Sequence, residues 1–202
     1  FACYLQFPEA TVASASPERF LKLDRDRVAE SRPIKGTRPR SSMPEADLAL
    51  GTELRDSVKG QAENTMIVDL VRNDFGRVCQ FHSVHVPELK AIEPYATVYQ
   101  MVSTIRGTLR DDVSALDLVQ ACFPGGSMTG APKIEAMKII DRLEPVCRGI
   151  YSGAVGYLDF TGPLDLNIVI RSFIVHNDIC HYHVGGAVVA DSDPRAEYLE
   201  TL

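Results

Sequence analysis

The sequence lacks tryptophan, a surplus of basic residues and any long apolar run. Lysine and arginine together number 21 against 27 acidic residues, which gives a formal net charge of −6. Because binding to nucleic-acid phosphates needs a broad basic face, this balance argues against nucleic acid as a partner. No segment approaches the roughly 18 apolar residues of a membrane span, and no basic-then-apolar leader opens the sequence. We therefore expect no nucleic-acid partner and no membrane partner.

The sequence also lacks the cysteine patterns of metal sites and disulfide frameworks. Its five cysteines are odd in number and scattered, without the close spacing of zinc ligands. This usage is typical of reduced thiols, and it predicts a cytoplasmic protein whose cysteines are mostly buried and inert. The cysteines are Cys3, Cys79, Cys122, Cys147 and Cys180.

The sequence does contain enough apolar residues for a sizeable core, since 45% of its 202 residues are hydrophobic. Phe1 falls within a strand pattern and Leu202 within a helix pattern, so we expect the sequence to be a piece of a longer chain. Strand-type runs occur in groups with helical segments between the groups, which predicts an α+β fold with a large antiparallel sheet. The predicted strands are "FACYLQF", "TVASAS", segments of 83–109, "YSGAVGYLDF", "DLNIVIRSFIV", "ICHYHVGG" and "AVVADS".

Five segments carry helix signals. A capping serine predicts a helix over "SPERFLKL", and near-helical apolar spacing predicts another from Pro44 to Arg72, broken near Gly51 or Gly60 and stopped by "RNDFG". The others are "SALDLVQACF", a helix that starts near Pro132, and a last helix that starts near Asp193–Pro194.

The stretch "SRPIKGTRPR", residues 31–40, places one lysine, Lys35, among three arginines on a stiffened loop. Lysine is a poor nucleophile at its usual pKa of about 10.4 and becomes useful when burial or neighbouring cations lower that pKa. Arg32, Arg38 and Arg40 are candidate neighbours. The alternative is a solvated basic loop.

Three acidic residues form a second candidate site. Glu197 and Glu200 lie three apart on the last predicted helix, hence on one face. Together with Glu63 they could supply oxygen ligands to Mg²⁺, which takes few carboxylates and completes its shell with substrate oxygens. The alternative is a set of solvated surface acids.

Two glycine-rich stretches complete the candidates. In "HVGGAVVADSDP", Gly185, Gly186 and Ala187 could form a backbone nest for an anion, or simply a bulge in a strand. "FPGGSMTGAPK" ends at a helix N-terminus but does not fit the phosphate loop of nucleotide-binding proteins. Together the four features describe a site for a small dianion and a metal.

Eight motifs occur here in the order found in chorismate-utilising enzymes, which the whole chain resembles. They are "SPERF", "RPIKGTRPR", "AENTMIVDLVRND", "VSTIRG", "FPGGSMTGAPK", "GYLDF", "IVIRSF" and "GGAVVADSDPRAEYLET". The resemblance implies part of a large antiparallel β-sandwich flanked by helices. It also implies that residues 1–202 are one chorismate-binding catalytic domain from the C-terminal part of a longer chain.

Lys35 indicates the subfamily. Anthranilate synthases resemble this stretch but carry "PIAGT", whereas aminodeoxychorismate synthases carry "PIKGT", as this sequence does. The resemblance then implies a transaminase-class transferase that makes 4-amino-4-deoxychorismate for 4-aminobenzoate and folate biosynthesis. Its substrates would be chorismate and ammonia, the latter supplied by a partner glutamine amidotransferase. Lys35 would be a covalent nucleophile.

The same resemblance assigns the remaining roles. Glu18 would be the general acid that protonates the departing hydroxyl, and Mg²⁺ would be bound directly by Glu63 and Glu200 and from the outer shell by Glu197. The substrate-binding residues would be Thr37, Thr129, Tyr157, Arg171, Gly185, Gly186 and Ala187.

The sequence departs from the family pattern at three positions. Gly60 stands where many relatives have a second acid, and Ala187 replaces a commoner glycine. Gln100 stands where anthranilate synthases carry a histidine that serves pyruvate elimination. Two alternatives remain: an anthranilate synthase component I, and a non-catalytic chorismate-binding fragment.

Overall fold

The computed structural model describes residues 1–190 and 192–202. Along the chain, its elements are β1 (Ala2–Gln6), β2 (Thr11–Ala15), β3 (Arg19–Leu23), β4 (Val28–Arg32), β5 (Ile34–Pro39), α1 (Pro44–Asp56), α2 (Val58–Gly76), β6 (His85–Pro94), β7 (Val98–Thr108), α3 (Ala115–Cys122), α4 (Gly126–Thr129), α5 (Lys133–Leu143), β8 (Ala154–Leu158), β9 (Leu164–Ile168), β10 (Ser172–His176), β11 (Ile179–Tyr182) and α6 (Pro194–Glu200).

The strands form two antiparallel sheets. The smaller has the order β1-β2-β10-β11, and β1 and β2 form the antiparallel pair that their sequences predict. The larger has the order β5-β7-β4-β3-β9-β8, and β6 pairs with the long strand β7. Two antiparallel sheets with flanking helices confirm the predicted α+β fold.

The core lies between the larger sheet and helices α2 and α3. Ile67, Val71 and Phe75 recur every four residues along α2 and are buried against the sheet, which explains why this segment is a helix with one apolar face. Ser57 separates α1 from α2 and accepts a hydrogen bond from the Gly60 amide at 3.1 Å. The predicted break therefore falls between the two glycines, and α2 ends at the glycine of "RNDFG" as predicted.

Other helix predictions are confirmed. Ser114 and Asp117 form a reciprocal capping box at the start of α3, and Asp193 caps α6 by accepting from the Ala196 amide at 2.8 Å. None of the helices in the described residues is long and apolar enough to cross a bilayer.

The helix predicted over "SPERFLKL" is wrong. Residues 19–23 form β3, a central strand between β4 and β9. Phe20, Leu21 and Leu23 are all buried there, so the burial of apolar side chains on both faces of a central strand outweighs the local capping signal.

Two strand predictions near the C-terminus also need correction. "DLNIVIRSFIV" is not one strand, because β9 ends at Ile168 and β10 begins at Ser172 in the other sheet, with Arg171 at φ +52° between them. In "AVVADS", residues 187–190 form no strand, and Asp191 lies outside the described residues.

The cysteines are free, as predicted, but not mostly buried. Cys79 and Cys122 lie in the core, whereas Cys147 and Cys180 are exposed and Cys3 is half-buried. The last β-hairpin and the segment after α5 leave their side chains in solvent, so a cysteine there has no apolar environment to enter.

Candidate active site

A cavity of about 470 Å³ gathers residues from distant parts of the chain. This volume is within the usual range for small-molecule sites. Nine of the twelve predicted site residues line it: Glu18, Lys35, Thr37, Glu63, Arg171, Gly185, Gly186, Ala187 and Glu200. A tenth, Glu197, lies next to the lining residue Glu63, because both carboxylates contact the Lys59 ammonium.

The other two predicted residues lie elsewhere. Tyr157 is in β8 with 62% of its surface exposed and does not line the cavity. The neighbouring Tyr151 lines it instead, and burial raises the pKa of its hydroxyl. Thr129 lines an adjacent cavity, where its hydroxyl bonds weakly to backbone carbonyls. "YSGAVGYLDF" contains both tyrosines, and the sequence pattern does not distinguish them.

Lys35 reaches the cavity from an irregular point in β5. The register between β5 and β7 shifts between Ile34 and Thr37, and Gly36 has φ +87°. A Cβ at Gly36 would lie 2.8 Å from Leu54 Cδ1, so glycine suits this position both conformationally and sterically. Such irregularities redirect side chains, and here Lys35 joins the cavity wall.

Glu18 and Lys35 meet at one residue, Ser127. The Ser127 hydroxyl donates a hydrogen bond to the Glu18 carboxylate, and Lys35 Nζ donates to the Ser127 carbonyl oxygen at 3.3 Å. Glu18 is only 6% exposed, and this burial raises its pKa. The Lys35 charge, the Ser127 hydroxyl and the Ile34 amide act in the opposite direction. Burial therefore favours retention of a proton, as a general acid requires.

The three arginines of the "SRPIKGTRPR" stretch do not surround Lys35. Each is paired with an acid on another element, so its charge is already compensated. The hypothesis that they tune this lysine is therefore not supported. The pairs are Arg32–Glu93, Arg38–Glu53 (Nε–Oε1 2.7 Å) and Arg40–Asp47 (Nη2–Oδ2 2.7 Å).

A lysine, Lys59, lies between two of the predicted metal ligands, Glu63 and Glu197. Lys59 Nζ lies 3.7 Å from Glu63 Oε1 and donates a hydrogen bond to Glu197 Oε1. That hydrogen bond is the main cause of the lowered pKa of Glu197, whereas burial raises the pKa of Glu63. Among residues 1–190 and 192–202, no group of three or more His, Cys, Asp or Glu side chains is close enough together to hold a metal ion. Glu63 and Glu197 thus share a cation, and the three predicted ligands form no closed cluster within the described residues.

Two carboxylate oxygens nevertheless suit a second cation. Glu63 Oε1 and Glu197 Oε2 are buried, and neither accepts a hydrogen bond within the described part of the chain, although the Ser192 hydroxyl lies close enough to Glu197 to help lower its pKa. A buried carboxylate oxygen without a donor is costly, and Mg²⁺ prefers such oxygens as ligands. The residues present therefore fit Mg²⁺.

The Gly185–Ala187 segment lines the cavity without strand structure. Neither glycine has a positive φ, so the alternating conformation of an anion nest is not formed. Their contribution is the close approach of an unhindered backbone to the cavity.

Comparison with known proteins identifies the family of this chain. The family described as chorismate binding enzyme matches residues 1–202. The chain belongs to this family. It is 57% identical to an aminodeoxychorismate synthase of Streptomyces pristinaespiralis, over all of this chain and 28% of that protein. It is 48% identical to the aminodeoxychorismate synthase component 1 of Salmonella typhimurium, over all of this chain and 44% of that protein.

A solved structure agrees with the fold. Anthranilate synthase component I from Streptococcus pneumoniae superimposes with a TM-score of 0.89 at 36% identity, over all of this chain and 44% of that chain. The chain spans less than half the length of each of these relatives.

Proposed function

We propose that this domain converts chorismate and ammonia into 4-amino-4-deoxychorismate. The observation that carries the proposal is the meeting of Lys35 and Glu18 at Ser127 on one wall of the cavity. A lysine and a buried carboxyl on one wall supply a nucleophile and a proton donor for the same substrate. The aminodeoxychorismate synthases among the relatives are consistent with this chemistry.

The reaction would proceed by two displacements. The Lys35 amine, once free of its third proton, attacks C2 of chorismate, the double bonds shift, and the C4 hydroxyl leaves as water with a proton from Glu18. Ammonia then attacks C4, the double bonds shift back, the Lys35 amine departs from C2, and the new ammonium at C4 returns a proton to the Glu18 carboxylate. The nitrogen is thereby placed at C4, and lysine and ring are both regenerated.

Other cavity residues would bind the carboxylates of the substrate. We assign this role to Arg171 and to the backbone of Gly185–Ala187, with Thr37 near the ring. From the family resemblance, Glu63 and Glu200 would hold Mg²⁺ directly and Glu197 less directly, whereas the unpartnered oxygens lie on Glu63 and Glu197. The ion would neutralise the ring carboxylate and orient it.

Ammonia would come from solution or from a separate glutamine amidotransferase. The name component 1 of the Salmonella relative fits such a partnership. The two core cysteines do not resemble the nucleophile of a glutamine-hydrolysing site, because burial raises the pKa of Cys79 to about 11 and that of Cys122 further. We place the enzyme in 4-aminobenzoate and folate biosynthesis in the cytoplasm, as a transferase.

Product analysis tests the proposal. The full-length protein, incubated with chorismate and ammonium with and without Mg²⁺, should form a non-aromatic amino compound with the mass of aminodeoxychorismate. Fluorescent anthranilate as the product would instead support the second candidate, which the likeness to the Streptococcus structure favours. Binding of chorismate without conversion would indicate a non-catalytic domain.

A further inference from the structure

Ser127 belongs to a helical turn that is held tightly against the rest of the domain. The preceding glycines permit this, since a Cβ at Gly125 would lie 2.7 Å from Ile168 Cδ1 and one at Gly126 would lie 2.6 Å from Leu70 Cδ2. A side chain at either position would require Ile168, Leu70 or the turn itself to move. The two glycines of "PGGS" thus permit close packing of the turn in which the serine contacts Glu18.

Side chains fix the turn from the other side. Lys133 Nζ donates to Asp74 Oδ2 at 2.8 Å and to the Cys122 carbonyl at 2.9 Å, which joins the start of α5 to α2 and α3. Arg148 Nη1 donates to the Met128 carbonyl at 2.6 Å. Ser127 therefore lies between two fixed points: the packed glycines that precede it and Met128, whose carbonyl is held by Arg148.

We propose that Ser127 is a positioning residue, whose hydroxyl holds the Glu18 carboxyl while its carbonyl holds the Lys35 ammonium. Both contacts come from one residue, so the acid and the nucleophile keep a fixed separation on the cavity wall. This role rests on the proposed function, because it gives Glu18 and Lys35 their parts in the same reaction.

The serine hydroxyl suits an acid that cycles between two states. A hydroxyl donates to an ionised carboxylate and accepts from a protonated one, so the contact persists through proton transfer. In the structure the Ser127 hydroxyl donates to Glu18. This contact favours the ionised carboxylate and so opposes burial, which raises the pKa of Glu18.

The other charged residues near Glu18 are paired with partners of their own. Lys35 is the charged group that contributes to its titration. Arg19, the next residue in the chain, is bonded to Asp165 and Glu30, and Asp74 from α2 is bonded to Lys133 and Arg77. Removal of the Ser127 hydroxyl therefore removes one defined contribution.

The test is Ser127→Ala in the full-length protein, because it deletes the hydroxyl and leaves the carbonyl that Lys35 contacts. We expect kcat to fall roughly 10- to 100-fold, as for loss of a hydrogen bond to a charged group, with little change in KM. Loss of the donor should raise the pKa of Glu18, so the descending limb of the pH–rate profile should move to higher pH. Ser127→Thr, which keeps a hydroxyl, should restore most of the rate.

Ser14→Ala is the matched control, since it also removes a buried serine hydroxyl, one that is bonded to Ser172 Oγ at 2.7 Å and does not line the cavity. It should leave kcat and the pH profile unchanged. Equal losses for Ser127→Ala and Ser127→Thr with an unmoved pH profile would overturn the assignment.

An infrared titration provides a readout independent of turnover. The carboxyl band of Glu18, identified by its absence in Glu18→Gln, should titrate at higher pH in Ser127→Ala than in the unmodified protein. An unshifted band would contradict the proposed contact. A shifted band in a protein that makes no aminodeoxychorismate would support the contact and reject the proposed function.

Discussion

The two walls of the cavity differ in how their polar groups are satisfied. On the first, Glu18 and Lys35 each bond to Ser127, the carboxylate to its hydroxyl and the ammonium to its carbonyl oxygen. On the second, Glu63 and Glu197 share the Lys59 ammonium and each keeps a buried oxygen without a donor. The first wall is thus completed by the chain itself, whereas the second has capacity for a further cation.

The supporting elements differ in the same way. Glu18 precedes a central strand of the larger sheet, and Ser127 lies on a turn packed against that sheet and α2. Glu200 lies on α6, a seven-residue helix with no buried residue. We infer that the first wall is preorganised and that the second depends on ionic contacts for its geometry.

The largest expected effect is on the first wall, at Lys35. Lys35→Arg preserves the charge, but arginine does not give up its proton near neutral pH, so it cannot serve as a nucleophile. We expect a loss of turnover that exceeds the roughly 100- to 10,000-fold contribution of a general acid. Lys138→Arg on the exposed face of α5 is the control and should retain full activity. Substantial turnover by Lys35→Arg would leave this lysine only an electrostatic role.

A somewhat smaller loss is expected at Glu18. Glu18→Gln keeps the shape of the side chain but supplies no acidic proton, so kcat should fall about 100- to 10,000-fold at neutral pH. Because the pKa of Glu18 is raised by burial, activity in the unmodified enzyme should decline as pH rises through that pKa and the proton is lost. Steady-state rates over about pH 5–9 would measure the fall in kcat and the decline with pH. A pH profile of Glu18→Gln identical to that of the unmodified enzyme would contradict the assignment.

Changes in the second wall should follow a hierarchy. Glu63→Gln and Glu200→Gln should each weaken Mg²⁺ binding more than Glu197→Gln, whose expected cost is about 10- to 100-fold, typical of an outer-shell partner. Calorimetric Mg²⁺ titration of the three variants would compare them. Equal losses at all three positions, or full activity of the enzyme in EDTA, would remove the assigned hierarchy.

The smallest effect, and one of opposite sign, concerns Lys59. Its ammonium competes with an added cation for Glu63 and Glu197, so Lys59→Met should bind Mg²⁺ more tightly and lower the melting temperature in EDTA. Lys138→Met, which loses only an exposed pair with Glu135, should change neither property. Weaker Mg²⁺ binding by Lys59→Met would show that the lysine supports the metal site rather than competing with it.

The sequence predicted most of the fold because its strongest signals are local. The helix pattern of "SALDLVQACF" and the near-helical apolar spacing that precedes "RNDFG" act within a few residues, and the structure has α3 and α2 there. β3 was missed because its burial depends on β4 and β9, which are distant in the chain. The end of β9 was missed because the sheet changes at Arg171, which no local pattern reveals.

The candidate site likewise contains residues that sequence motifs reveal and residues that only contacts in the fold reveal. Resemblance located Glu18, Lys35 and Glu63, whose motifs stand out in the sequence. Ser127 and Lys59 were missed, because an ordinary serine or lysine gains significance only from the groups it contacts in the fold. The glycine pair before Ser127 was a usable signal, since adjacent glycines often mark a close approach of two backbones or elements.

The central claim is that Lys35 forms a covalent bond to the substrate, and one measurement tests it most directly. The full-length enzyme is incubated with chorismate and Mg²⁺ without ammonia or glutamine, and its intact mass and peptide masses are determined. The account predicts a mass increase equal to chorismate less one water, located on Lys35 and absent from Lys35→Ala. An enzyme that turns over with ammonia yet shows no adduct, or carries one on another residue, would contradict the account.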